Sequence, residues 1–79
     1  MLFRSIPINT IAFDDVRGDL YAGTDYGPIV LRRGSSTWTA AGVGFPEAVI
    51  VDLKMVSDKR VLVAATHGLG IFYLNLPVS

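Results

Sequence analysis

The side chains of this 79-residue chain that could do chemistry are one histidine, His67, seven carboxylates and three tyrosines. His67 carries the ring that titrates nearest neutrality and could serve as a general base. Covalent catalysis would also need a nucleophile and an orienting group around it, and no serine or carboxylate in its sequence context makes such a set. Asp14, Asp15, Asp19, Asp25, Glu47, Asp52 and Asp58 fall mostly among turn residues, where hydrogen bonds to the local backbone account for them. A glycosidase would need two carboxyls at a defined separation, and no such pair stands out. Cysteine is absent, and a single imidazole cannot build a metal site. The expectation is a chain with no catalytic residue, no metal site and no cofactor. Tyr26 is harder to account for. An aromatic ring on a turn, between Asp25 and Gly27, suits contact with a carbohydrate or another small ligand. Arg17-Gly18-Asp19 spells an integrin-recognition tripeptide but also makes an ordinary turn between strands, and it is read as the turn.

The elements that must position these residues are short. With seven basic and seven acidic side chains scattered along the chain, net charge is zero and no basic stripe exists for phosphates or anionic headgroups. Nucleic acid and membrane surfaces are therefore not expected partners. No apolar run approaches the ~20 residues of a membrane span. Met1-Leu2-Phe3-Arg4-Ser5-Ile6-Pro7 lacks a basic stretch followed by an apolar one, so no secretion signal is expected and the compartment stays open. Hydrophobic residues make up 51% of the chain, more than a lone domain of this size can hide, which points to a subunit interface.

No stretch keeps helical apolar spacing for more than a turn. Short β-rich runs punctuated by Gly, Pro, Asp and Ser predict strands at Ile8–Phe13, Asp19–Thr24, Ile29–Arg32, Thr37–Ala41, Val49–Val56, Arg60–Thr66 and Gly70–Leu76. The connections are too short for parallel crossovers, so neighbours should pair antiparallel. Sliding the chain by 42 residues matches it to itself without a gap. Ile8 falls on Ile50, Leu20 on Leu62, Ala22 on Ala64, Thr24 on Thr66 and Ile29 on Ile71. A period near 42 made only of strands matches a four-stranded propeller blade. Val49, Val51, Leu53 and Met55 are expected on one face, with Ile50 and Val56 on the other. Along the next strand, Val61 and Val63 oppose Leu62 and Ala64. Strands apolar on both faces belong to sheets covered on both sides. The predicted fold is all-β: a β-propeller unit spanning 1–79 with two four-stranded antiparallel blades, the first over about 8–43 and the second over about 49–76. The second blade lacks an outer strand, which residues 1–6 are expected to supply in the same or a neighbouring chain.

The phrases Leu20-Tyr21-Ala22-Gly23-Thr24-Asp25, Ser36-Thr37-Trp38-Thr39 and Ala64-Ala65-Thr66-His67-Gly68-Leu69-Gly70-Ile71-Phe72 resemble Asp-box propellers. That family includes bacterial-neuraminidase repeats, xyloglucanases, sortilin-type receptors and photosystem assembly propellers. The Asp-box is degenerate: aligning Thr37 and Trp38 with its end puts Arg33 where the aspartate usually sits and Leu31 where the serine sits. The resemblance implies architecture rather than function, since these propellers serve hydrolases, receptors and assembly factors alike. It also implies packing between blades for Trp38, and one shared face for Asp25, Tyr26, His67 and the Gly44–Glu47 loop. Two blades cannot close, and propellers have ~4–8. The chain is thus expected to form a ring by head-to-tail self-association, a trimer first and a tetramer next. The expected function is a non-catalytic, lectin-like ring binding carbohydrate through Asp25, Tyr26, His67 and Glu47. The alternative is a segment or descendant of a larger propeller hydrolase or receptor.

Overall fold

A computed structural model describes residues 6–42, 45 and 47–77. Seven strands alternate with tight turns: β1 (Ile8–Asp14), β2 (Asp19–Thr24), β3 (Gly27–Leu31), β4 (Trp38–Ala40), β5 (Ile50–Val56), β6 (Val61–Thr66) and β7 (Ile71–Asn75). No α-helix occurs among the described residues; a single 3₁₀ turn, Ser57–Lys59, joins β5 to β6. The strands form two antiparallel sheets, β1-β2-β3-β4 and β5-β6-β7, each in sequence order as short connections require. The expected fourth strand of the second sheet is not among the described residues, and residues 1–5, which carried most of that expectation, lie outside them.

Each strand forms where β-branched and aromatic residues run between turn residues with a stated job. At the β1–β2 turn the Asp14 carboxylate accepts the Val16 and Arg17 backbone N–H groups at 3.0 and 3.4 Å. Gly18 closes that turn with φ +79°, and a Cβ there would lie 2.9 Å from Arg33 Cδ. At the β2–β3 turn Thr24 Oγ1 accepts the Tyr26 N–H at 3.0 Å and donates to the Gly27 carbonyl at 2.7 Å. Thr24 pairs with Gly27 across that turn, so β3 begins at Gly27 rather than at the expected Ile29.

The two sheets share a register. In β1–β2, Ile8 pairs with Thr24, Ile11 with Ala22 and Phe13 with Leu20. In β5–β6, Ile50 pairs with Thr66, Leu53 with Ala64 and Met55 with Leu62, each 42 positions on. Both ladders carry an irregularity at the same place, between Ile8 and Thr10 and between Ile50 and Asp52. That bulge corrects the facing expected for β5. The extra residue turns Ile50 onto the side of Leu53 and into the core, and leaves Val51 48% exposed instead of sharing the Leu53 face. The offset then changes in the third strand. Ile29 stands opposite Ala22, but Phe72 rather than Ile71 stands opposite Ala64, because the β6–β7 turn holds one more residue than the β2–β3 turn.

The sheets pack face to face, with β1 lying along β5. Ala12, Tyr21 and Val30 of the first sheet meet Ile50, Leu53, Leu62, Ala64 and Leu74 of the second, with Ala41 and Leu76 closing the outer end. Phe45, from the connector between the sheets, packs on Phe72 with ring centroids 5.1 Å apart and planes tilted by 54°. At Gly23 of β2 the two sheets come close: a Cβ there would collide with Ile50 of the second sheet and would lie 2.6 Å from Thr10 Cγ2.

Candidate functional site

The four residues expected to meet a ligand come from two turns and a connector at one end of the molecule. Asp25 and Tyr26 form the β2–β3 turn, His67 opens the β6–β7 turn, and Glu47 lies in the connector three residues before β5. Asn9, at the start of β1, bridges the sheets there. Its Nδ2 donates to Asp25 Oδ1 at 2.9 Å and to the Ile50 carbonyl at 3.0 Å. The His67 N–H donates to the Val49 carbonyl at 2.9 Å. Both turns are thereby anchored to the entry of β5. Tyr26 is 61% exposed, and His67 and Glu47 are also exposed. This end can offer an aromatic face, an imidazole and carboxylates to a ligand. Among the described residues it has no ordered nucleophile–base pair: the His67 contact is made by its backbone, and Asp25 is engaged by Asn9. No group of three or more His, Asp or Glu that could hold a metal ion occurs among the described residues.

Two concavities lie elsewhere. One of about 490 Å³ runs between the sheets at their outer edge, beside Tyr21, Arg32, Phe45, Tyr73, Asn75 and Pro77. The other, about 530 Å³, lies over the β1–β2 turn, beside Val16, Arg17, Asp19, Arg32 and Arg33. Asp19 organises the second. Its carboxylate is buried and accepts from Arg17 Nε at 3.1 Å, from Arg32 Nη1 at 3.0 Å and from the Arg33 N–H at 2.9 Å. Burial alone would raise the Asp19 pKa, but these donors outweigh it and hold the group below the usual carboxylate range. The tripeptide Arg17-Gly18-Asp19 therefore presents no free carboxylate: its aspartate is 1% exposed and its arginine is turned back onto it.

Beside Asp19 across the same turn, Asp14 is fully buried and pairs with Arg60 of the other sheet. Arg60 Nη1 and Nη2 donate to Asp14 Oδ1 and Oδ2 at 2.8 and 2.6 Å, and Arg60 Nε and Nη2 also hold the Pro77 carbonyl. The guanidinium, opposed by burial and helped by the Val16 and Arg17 N–H groups, brings the Asp14 pKa from 3.8 down to about 2. The sequence reading did not find this link between the sheets. A signal existed: Arg60 lies 42 positions beyond Gly18 and, with φ +52°, is the one non-glycine residue at positive φ among the described residues. Trp38, expected to pack rather than stack on a ligand, is half-buried on β4 opposite Leu31.

No family model, curated protein or solved structure matches this chain.

Proposed function

We propose that the chain is a two-blade propeller unit that assembles with copies of itself into a ring and serves as a non-catalytic, lectin-like binding module. The observation that carries this reading is that each sheet leaves large apolar side chains exposed on the side turned away from the other sheet. Ile11, Phe13, Ile71 and Tyr73 are each more than half exposed, in a 79-residue chain whose hydrophobic content exceeds what one domain of its size can cover. The shared register supports treating the sheets as successive blades of one repeat, and the placement of β1 along β5 suits strands nearest a common axis. Six blades from three copies is the preferred ring, and eight from four copies the next. Light scattering tests the assembly: a species of three or four chains is expected, and a stable single chain overturns the reading.

The ligand surface is the end bearing Asp25, Tyr26, His67 and Glu47, repeated around the ring so that weak single contacts add through avidity. Carbohydrate is the expected class, with Tyr26 stacking on a sugar face. Titrating the assembled protein against a glycan panel should show binding that Tyr26→Ala weakens about tenfold, the worth of one aromatic contact. No binding by the wild type at millimolar sugar sinks the lectin assignment. The outer edge of β7, which has no partner strand among the described residues, favours a second reading, a segment of a larger propeller hydrolase or receptor whose further strands cover that edge and the exposed apolar faces.

A further inference from the structure

Resting on the self-assembly reading above, we propose that copies meet head to tail: the open face of the second sheet in one copy seats on the open face of the first sheet in the next. Cross-strand pairing defines the faces. Two apolar rows cross the first sheet on the side turned away from the second, Ile11–Ala22–Ile29–Ala40 and Phe13–Leu20–Leu31–Trp38; Ala22 and Ile29 are buried within them, and the open part is the β1 end, Ile11 and Phe13. Their counterparts in the second sheet are Leu53–Ala64–Phe72 and Met55–Leu62–Leu74. Those are the rows the second sheet already buries against the first.

The converse holds. The row Ala12–Tyr21–Val30 is what the first sheet buries against the second, and its counterpart Lys54–Val63–Tyr73 is open, with Tyr73 70% exposed. Each copy therefore contains one finished example of the contact and one unfilled half of it at either side. The open faces are of opposite type, so the contact they form is heterologous, with no two-fold between copies.

Polar contacts along β1 and β5 point the same way. Thr10 Oγ1 donates to Asp52 Oδ1 at 3.4 Å, and Ser57 Oγ donates to Asp15 Oδ1 at 2.8 Å. Each pair joins residues 42 apart, so one position touches its own counterpart from sheet to sheet. Between copies the same positions meet again: Asp52 of one copy faces Thr10 of the next, and Ser57 faces Asp15. The Arg60–Asp14 ion pair does not carry over, because the counterparts of these residues are Gly18 and Val56. The seam within a chain is thus latched, and the seam between chains is not.

Phe13→Asp and Tyr73→Asp, one charge on each open face, test this arrangement. Both side chains are mostly exposed in the single chain, so each variant should keep the wild-type β-sheet circular dichroism; Ile11→Asp and Ile71→Asp are the second pair if either does not. Light scattering should find a multiple of the chain mass for the wild type and one chain for each variant alone. An equimolar mixture should recover a two-chain species, joining the intact Tyr73 face of the Phe13 variant to the intact Phe13 face of the Tyr73 variant. A variant that keeps the wild-type mass, or a mixture of folded variants that stays single-chain, overturns the head-to-tail contact while self-assembly stands. A single-chain wild type overturns both.

Discussion

Arg60 occupies a backbone conformation that costs a non-glycine residue about 1–2 kcal/mol, and it holds both Asp14 and the Pro77 carbonyl from there. Its bonds must outweigh that strain, because breaking a buried pair leaves a partner uncompensated. Asp14→Asn should therefore lower stability at neutral pH by about 2–3 kcal/mol. The pH dependence follows from the depressed Asp14 pKa, about 2 against an ordinary 3.8. The unfolded chain takes up the proton first as pH falls, so the contribution is whole above about pH 4 and is lost on the way down to 2. Denaturant midpoints measured across that window should fall steeply for the wild type and less steeply for Asp14→Asn; equal slopes would show that the pair does not couple the sheets. None of this could be read from composition. Asp14 announces a turn, and only the fold brings Arg60, 46 residues away, onto it.

At the scale of the strand, much was legible. Asp, Gly and Ser residues mark most of the strand boundaries, and β2 lies at Asp19–Thr24 as its pattern of apolar residues predicts. What failed to show were one-residue events. The bulge between Ile50 and Asp52 and the extra residue before β7 each reverse which side chains face inward, yet they leave composition and spacing almost unchanged. The expected site residues were legible as turn residues, but Asn9, which anchors them, was not, because a strand-end asparagine carries no pattern of its own. Gly23 gives the prediction at this scale. In the middle of β2 it costs strand propensity, and it is tolerated because Ile50 and Thr10 occupy the space a Cβ would need. Gly23→Ala should push the sheets apart and cost about 1–3 kcal/mol, readable as a lowered thermal midpoint. An unchanged midpoint would mean that the inner strands are not in close contact.

For the molecule as a whole, the proposed seams differ in strength. The seam inside the chain has the Arg60 latch and the close fit at Gly23. Between copies, Gly18 stands in place of the arginine and Ala65 in place of the glycine. Assembly by the weaker seam follows mass action, so the scattering mass expected above should fall toward one chain on dilution, and the thermal midpoint with it. A mass that does not change with concentration over several decades would mean that the seam between copies is as strong as the one within.

The outer edge of β7, without a partner strand among the described residues, has a consequence of another kind. Ile71-Phe72-Tyr73-Leu74-Asn75 carries no charge and no proline, and its outward N–H and C=O groups have no partner among the described residues. Stacking on the sheet faces turns about an axis and so can terminate, whereas hydrogen bonding along an uncapped strand has no built-in end. Under the proposed assembly an uncapped chain would have two directions of growth, one finite and one fibrous, and whatever strand caps β7 would decide which of them the protein follows.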